Sequence, residues 1–172
     1  MTFPLALLGQ HPRRVMGGIA LVCVALLGFG LYLQHVVGLE PCPMCIVQRY
    51  ALVMVALLAG ATALAGKAGP RGVGLFGVVA VALFGAFVAA RQSWLQWYPP
   101  EVLTCGRDFY GMIESFPLKR AVPMIFRGSG DCSAVDWTFL GLSIANWSFL
   151  CFSAIALAAL GLLLSRSRSR IS

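Results

Sequence analysis

Four long apolar stretches separated by polar segments dominate the pattern of side chains along this sequence. They cover Val15–Leu33, Tyr50–Leu64, Val73–Ala90 and Trp147–Leu164. Each is close to the roughly 20 residues that an α-helix needs to cross about 30 Å of hydrocarbon, and the second reaches that length once Ile46 and Val47 join it. The pattern therefore predicts four transmembrane helices, at about 15–33, 46–65, 73–91 and 145–164.

The polar connections between these helices differ in length. Ala65–Arg71 is a tight turn in which Gly and Pro are expected to interrupt the helix, whereas the connections at about 34–45 and 92–144 form longer loops. Residues 112–126 of the last loop mix apolar and basic side chains and are too few to span a membrane, so they are expected to lie on its surface. The prediction is one all-α domain over residues 1–172, a four-helix transmembrane bundle with two loops on the same side.

Composition and charge strengthen this interpretation. Hydrophobic residues make up 59% and charged residues 11% of the chain, and the mean hydropathy is +0.85, whereas a soluble domain carries roughly a quarter charged residues. The net charge of +7 does not indicate a nucleic-acid partner, because much of it comes from short basic clusters beside the apolar stretches. These clusters are Arg13 with Arg14, Lys67 with Arg71, and Arg166 with Arg168 and Arg170.

The distribution of charge also predicts an orientation in the membrane. All six acidic residues fall in the two longer loops, and the basic clusters share the other side of a four-span protein. Since Lys and Arg concentrate in cytoplasmic segments, both termini are expected in the cytoplasm. The first apolar stretch follows Arg13 and Arg14 and no small-residue cleavage site follows it, so we expect it to remain as an anchor.

Cys42 and Cys45 are the first candidates for chemistry, a Cys-x-x-Cys pair with a proline on either side of Cys42. Proline does not continue a helix but is favoured at its first position, which predicts that the pair lies at the N-terminus of the second helix. There the helix dipole and free backbone N–H groups stabilise a thiolate. Arg49 lies one turn beyond Cys45 on the same face, and a guanidinium at the edge of an apolar helix requires an anionic or strongly polar partner.

Cys105 and Cys132 form a second pair in the longer loop, with 26 residues between them. In an oxidising compartment, both pairs could be structural disulfides, which suits Cys105–Cys132 but not Cys42–Cys45, whose disulfide closes almost no loop. The four could bind zinc, but structural zinc sites usually combine two close pairs, so no metal is expected. They could instead exchange electrons by thiolate attack through a mixed disulfide, which a fixed helix end and a movable loop permit.

Four other residues have less specific interpretations. Cys23 and Cys151 lie inside apolar stretches and are expected to behave as small hydrophobic side chains. His35, just past the first stretch, is expected either to hydrogen-bond at the membrane interface or to relay protons. Arg91 is expected to extend its side chain to the membrane surface.

A thiol relay also needs an electron acceptor. The sequence contains no dinucleotide fingerprint, no haem-binding Cys-x-x-Cys-His and no Fe–S cysteine run. For a protein embedded in lipid, the remaining acceptor is a lipid-soluble one. The expectation is a quinone bound between helix ends near Cys45, with Arg49 polarising a ring oxygen as it becomes negative.

At these residues the chain resembles the disulfide bond formation protein B (DsbB) family, nearly from end to end and in order. The resemblance is carried by Gln34-His35-Val36, Pro41–Cys45 followed by Gln48-Arg49, Trp94-Leu95-Gln96, Cys105, Gly128–Cys132, Trp137–Ile144 and Trp147. It implies a multi-pass protein of the Gram-negative bacterial inner membrane with its cysteine loops in the periplasm. It also implies that the protein reoxidises a DsbA-like periplasmic oxidase of thioredoxin fold and passes the electrons to ubiquinone or menaquinone.

The resemblance further implies a role for each cysteine. The partner's thiolate would attack a Cys105–Cys132 disulfide at Cys105, and Cys132 would then attack a Cys42–Cys45 disulfide. Cys45 would meet the quinone in an adduct or charge-transfer contact, with Arg49 lining the ring, while Cys42 would face the loop.

The chain departs from the family pattern at Gln92, where many members have histidine. The implied quinone site takes in Gln92 with Arg91 and His35, but an amide can only hydrogen-bond a quinone oxygen and cannot titrate near neutral pH. We therefore expect no proton donation from Gln92 and only charge from Arg91. Two alternatives are a noncatalytic membrane protein with a disulfide-held outer loop and a paralogue that serves another periplasmic thiol partner.

Overall fold

A computed structural model describes residues 12–65, 68–99 and 133–168 of the chain. Four helices account for most of them: α1 (Pro12–His35), α2 (Pro43–Leu64), α3 (Ala68–Trp97) and α4 (Ile144–Arg168). All four are long and apolar enough to cross a membrane, so the predicted four-helix membrane bundle is confirmed. The predicted surface segment 112–126 lies outside the described residues.

The helices are longer than the apolar stretches alone predicted. α3 begins at Ala68 and not at the predicted 73. Pro70 does not prevent this earlier start, because it falls in the first helical turn, where a missing N–H breaks no hydrogen bond. At its other end α3 continues to Trp97, six residues beyond the predicted end at 91. The sequence has no proline there before Pro99, so Gln92 lies on a helix and not in the loop.

Three of the four pairs of neighbouring helices in the bundle pack closely against each other. α1 packs on α2, α2 on α3 and α3 on α4, whereas α1 and α4 contact each other very little. The core shared by the helices is rich in small and medium side chains, which allow close helix approach in lipid; its fully buried members include Met16, Cys23, Val55, Val78, Ala82 and Phe152. The open α1–α4 seam is where a ligand-sized space becomes possible.

Gly85 is one position where the close packing of α3 on α4 depends on the missing side chain. A Cβ built there would lie 2.5 Å from Cε1 of Phe152, a ring that is itself 1% exposed. We therefore expect Gly85→Ala to force the ring or the helix to shift and to destabilise the protein by about 1–3 kcal/mol. Thermal unfolding in detergent, followed by circular dichroism at 222 nm, measures the loss.

Gly28→Ala is the matched control, because a Cβ at Gly28 meets no atom within 4 Å. Alanine is the better helix former, so the control should match or exceed the wild-type unfolding temperature. Equal unfolding temperatures for the two variants would contradict the tight contact at Gly85.

A two-stranded hairpin, which the sequence patterns did not predict, leads into α4. Strands β1 (Thr138–Phe139) and β2 (Leu142–Ser143) pair antiparallel through Thr138 with Ser143 and Phe139 with Leu142. The two residues between them, Leu140 and Gly141, both have positive φ, 52° and 77°, as a type I′ turn requires. We call residues 133–143 the hairpin segment; it lies at the end of the bundle where α2 begins.

Candidate functional site

The cysteine pair lies at the start of α2, as predicted. Cys42 is the N-cap residue, with φ −73° and ψ 160°, and Pro43 follows it in the first turn. The backbone N–H of Cys45 donates to Cys42 Sγ at 3.2 Å, so the sulfur occupies the position in which Ser or Asp oxygen normally caps a helix. Both sulfurs therefore lie at the positive end of the α2 dipole, where a thiolate is favoured.

The two cysteines differ in exposure. Cys42 is only 4% exposed and packs against Leu95 of α3, with Met44 beside it. Cys45 is half-buried. Cys42 therefore contacts α3 near the helix end from which the long loop starts. The expectation that Cys42 faces this loop stays a prediction, because residues 100–132 lie outside the described residues.

Gln92 joins the two sulfurs to α3. Its amide nitrogen lies 3.2 Å from the Sγ atoms of both Cys42 and Cys45 and donates to them. The oxygen of the same amide accepts a hydrogen bond from Gln48 Nε2 at 2.6 Å. Both glutamines are buried, at 3% and 4% exposure, so a neutral hydrogen-bonded chain runs from α2 through α3 to the cysteines.

Arg49 is held by α1. Its guanidinium donates to Gln34 Oε1 and, at 3.0 Å, to the carbonyl oxygen of Gly30. In the described part of the chain no acidic side chain pairs with it. A guanidinium has five N–H groups, so donors remain for an anionic or polar ligand, the kind of partner that the sequence predicted Arg49 to require.

A cavity of about 560 Å³ brings these residues together. Cys42, Cys45, Arg49 and Gln92 all border it, with apolar side chains from α1 and α4 forming much of the remaining wall. A volume of this size and a mostly apolar wall with a few polar groups are typical of small-molecule sites. The cavity lies along the α1–α4 seam, since its wall takes Leu26 to Leu33 from α1 and Trp147 to Phe152 from α4.

Aromatic side chains line part of this cavity and contact one another. Trp137 meets Phe29 of α1 edge to face, with ring centroids 5.7 Å apart, and stacks on Phe139 at 6.1 Å. Phe139 in turn contacts Trp147 of α4, whose indole N–H donates to the Phe139 carbonyl oxygen at 3.0 Å. These contacts fix the hairpin segment across the seam, and Trp137, Phe139 and Trp147 all border the cavity.

Some predicted residues lie away from the cavity. His35 is the exposed last residue of α1 and Arg91 is exposed on α3; neither borders the cavity. Cys105 and Cys132 lie outside the described residues. Cys151 was expected to be buried like Cys23, but only Cys23 is fully enclosed, whereas Cys151 is half-buried and forms part of the cavity wall.

Sequence reasoning missed several of the residues around the cavity. Gln48 was noted only as the neighbour of Arg49, although a polar residue inside an apolar helix, three positions after Cys45, could have indicated a role. Gln34 and Trp137 were noted only as part of the family resemblance and were given no role, since their importance comes from contacts with Arg49 and Phe29 on other elements.

The fold and the site together define a multi-pass helical membrane protein whose Cys-x-x-Cys pair opens onto a ligand-sized cavity. The profile of the family described as disulfide bond formation protein DsbB matches residues 12–162. Disulfide bond formation protein B of Polaromonas sp. (strain JS666 / ATCC BAA-500) is 71% identical, over 92% of this chain and 95% of that protein. Its counterpart in Polaromonas naphthalenivorans (strain CJ2) is 68% identical over the same shares, and that of Paracidovorax citrulli (strain AAC00-1) is 67% identical over 94% and 92%.

The chain therefore belongs to the DsbB family, membrane oxidoreductases of disulfide bond formation.

Proposed function

We propose that this protein is a quinone-dependent protein-disulfide oxidoreductase that reoxidises a DsbA-like periplasmic oxidase of thioredoxin fold. The observation that carries the proposal is that Cys42, Cys45 and Arg49 border the same cavity. A thiol relay needs an acceptor within reach of its last cysteine, and this cavity offers the space for one beside Cys45. Family membership supports disulfide formation as the overall activity.

The residues present fit a quinone. The head group of a quinone is flat and apolar with two oxygen acceptors, and the cavity combines aromatic and aliphatic walls with the N–H donors of Arg49. A quinone, ubiquinone or menaquinone, supplies the electron acceptor, taking up two electrons and two protons. Arg49 would orient a ring oxygen by hydrogen bonding and stabilise negative charge on it in a site with little water.

The open seam between α1 and α4 supports entry from the lipid. These two helices contact each other little, and the cavity takes its wall from both. A lipid-soluble molecule could therefore reach the cysteines sideways, without crossing the polar loops. Helices that closed the bundle on all four sides would leave no such route.

The thiol side of the reaction would run through the second cysteine pair. A partner thiolate attacks a Cys105–Cys132 disulfide at Cys105 and breaks its S–S bond; the second partner thiol then completes the partner's disulfide and leaves both loop cysteines reduced. Cys132 next attacks the Cys42–Cys45 disulfide at Cys42, so a Cys132–Cys42 bond forms and Cys45 leaves with the electron pair. Cys105 then attacks Cys132, which restores the Cys105–Cys132 disulfide and releases Cys42, and the reduced inner pair would pass two electrons to the acceptor. Ala134, two positions after Cys132 in the sequence, borders the cavity, which supports Cys132 as the thiol that reaches the inner pair.

The arrangement of arginines supports an inner-membrane orientation with both termini cytoplasmic and the cysteines periplasmic. At the bundle end opposite the cysteines, Arg13 Nε donates to the carbonyl oxygen of Ala63 at 3.1 Å and Arg71 Nε to that of Ala65 at 2.9 Å. Arg166 of α4 lies at the same end, near Gly72. This is the distribution that the positive-inside rule associates with the cytoplasmic face.

The direct test is quinone reduction by the purified full-length protein in detergent, supplied with a reduced thioredoxin-fold oxidase of the DsbA type. We expect the ultraviolet absorbance of ubiquinone-1 to fall at a rate that depends on both the dithiol protein and the enzyme. Heat-inactivated enzyme is the control. Oxidation of the dithiol protein without quinone consumption would reject the proposed acceptor.

A Cys132→Ser variant tests the proposed site of attack. In this variant Cys105 has lost its disulfide partner and is a free thiol, so its thiolate should attack the disulfide of the oxidised partner. A Cys105–partner bond forms as the partner's S–S bond breaks, and alkylation of the released partner thiol traps the mixed disulfide, visible on a non-reducing gel as a species that disappears on reduction. The matched variant Cys105→Ser should give no such species. A complex of equal yield in both variants would contradict attack at Cys105.

A further inference from the structure

A directional hydrogen-bond chain lies behind the two sulfurs. Gln48 Nε2 donates to Gln92 Oε1 at 2.6 Å, and Gln92 Nε2 donates to both Sγ atoms at 3.2 Å. Both side chains are more than nine-tenths buried. Water is therefore a poor alternative partner for either amide, and the Gln48 N–H and the two sulfurs are the groups that face the two ends of the Gln92 amide.

The orientation of the Gln92 amide has chemical consequences. An amide group has two N–H donors on one side and an acceptor oxygen on the other. With its nitrogen toward the sulfurs it stabilises negative charge on them, whereas a reversed amide would set its oxygen against a thiolate. Gln48 is the donor that occupies the oxygen side, so its own amide decides which of the two arrangements is favourable.

We propose that Gln48 is a positioning residue that holds the Gln92 amide with its N–H groups toward Cys42 and Cys45, so that a neutral glutamine pair stabilises the thiolates formed at this site. The inference deepens the proposed function and rests on it for its biological role. In the redox step, an incoming thiolate bonds to Cys42 Sγ, the Cys42–Cys45 bond breaks, and Cys45 Sγ leaves with the electron pair. The Gln92 N–H groups already face the sulfur on which that charge appears.

The reduction potential of the Cys42–Cys45 couple measures this effect directly. Stabilised thiolates make the reduced form easier to reach, so Gln48→Leu should shift the equilibrium with a thiol–disulfide buffer about tenfold toward the disulfide, which is about 30 mV for a two-electron couple. The full-length protein in detergent, without quinone or partner, is equilibrated in dithiothreitol buffers, alkylated, and the peptide carrying both cysteines is quantified by mass spectrometry.

A near-isosteric substitution makes the test independent of packing. In Gln48→Glu the introduced carboxylate can only accept hydrogen bonds when ionised, so it should draw the Gln92 N–H groups away from the sulfurs. We expect a shift in the same direction as for Gln48→Leu and at least as large at pH 8. A shift of less than twofold in both variants would overturn the proposal.

A double variant distinguishes an effect of Gln48 that acts through Gln92 from an independent effect of Gln48 on the reduction potential. If Gln48 acts through Gln92, Gln48→Leu combined with Gln92→Leu should have the same potential as Gln92→Leu alone, because coupled residues are not additive. Additive shifts would overturn the proposed route through Gln92. A merely structural role would lower the unfolding temperature without this coupling.

Thr62→Val is the matched control, since Thr62 is another buried polar residue of α2, at 5% exposure, and its hydroxyl donates to Leu58 O away from the site. The reduction potential of this variant should equal that of the wild type.

Because no quinone or partner takes part, the measurement also separates the positioning role of Gln48 from the proposed quinone-dependent function. A normal Gln48 effect with no quinone reduction rejects the acceptor alone, and quinone reduction with no Gln48 effect rejects only the positioning role.

Discussion

Cys45→Ser should abolish dithiol-dependent quinone reduction, with a loss of at least about a thousandfold. A hydroxyl cannot form the disulfide through which electrons pass in the proposed relay. The fold should survive, because the α2 N-terminus is capped by Cys42 Sγ and not by Cys45. Serine also keeps an acceptor for the Gln92 amide. The fall in quinone absorbance measures activity. The free energy of unfolding, measured by thermal unfolding, should change by less than about 0.5 kcal/mol.

Cys23→Ala is the control for the general loss of a thiol. Cys23 is fully buried in the helix core and does not border the cavity, so its removal should leave the rate of quinone reduction within about twofold of the wild type. Normal turnover in Cys45→Ser, or equal losses in both variants, would contradict a relay through the Cys-x-x-Cys pair.

Arg49→Met should weaken quinone use far more than thiol exchange. Methionine keeps most of the apolar volume but removes every N–H donor, and losing one such group from a preorganised site costs about a hundredfold in rate. We expect that loss in kcat/KM for quinone. Reduction of the enzyme by the dithiol partner, measured without quinone, should change by less than about threefold, because the guanidinium of Arg49 donates to Gln34 and Gly30 and to neither sulfur in the described part of the chain.

Arg91→Met is the matched arginine variant. Arg91 is exposed and lies outside the cavity wall, so removing its charge should affect quinone kinetics little. Equal losses in both half-reactions of Arg49→Met would remove Arg49 from the quinone site. A larger loss in Arg91→Met than in Arg49→Met would assign the quinone to the other side of α3.

Local sequence signals predicted the helices well and their ends less well. Apolar length alone identified all four spans, because each must satisfy its backbone in lipid over about the same distance. The ends depend on where the chain meets a real interruption. Pro43 is the first residue of α2, whereas Pro70 is the third residue of α3, with two helical residues before it. Composition alone does not show whether a proline marks the start of a helix or follows it.

The site was predicted where its residues share one helix. Cys42, Cys45 and Arg49 lie within two turns of α2, so helical periodicity was enough to group them. The bonds from Gln92 and the contact of Phe29 with Trp137 join residues on different helices or loops, and such pairs have no signature in the local pattern. His35 and Arg91 are near the cysteines or Gln92 in sequence but point elsewhere, since adjacent helical residues face different directions.

The hairpin segment is fastened at both of its ends by one side chain. Gln96 Nε2 donates to Ala134 O at 3.2 Å, and Gln96 Oε1 accepts from Ser143 Oγ at 2.6 Å. The residue bonded to Ser133 is Cys132, so in the proposed relay its thiol is covalently attached to this anchored segment. Short tethers give effective concentrations in the millimolar range. Electron transfer between the two cysteine pairs should therefore be first order and insensitive to dilution of the enzyme, leaving only the encounter with the soluble partner dependent on concentration.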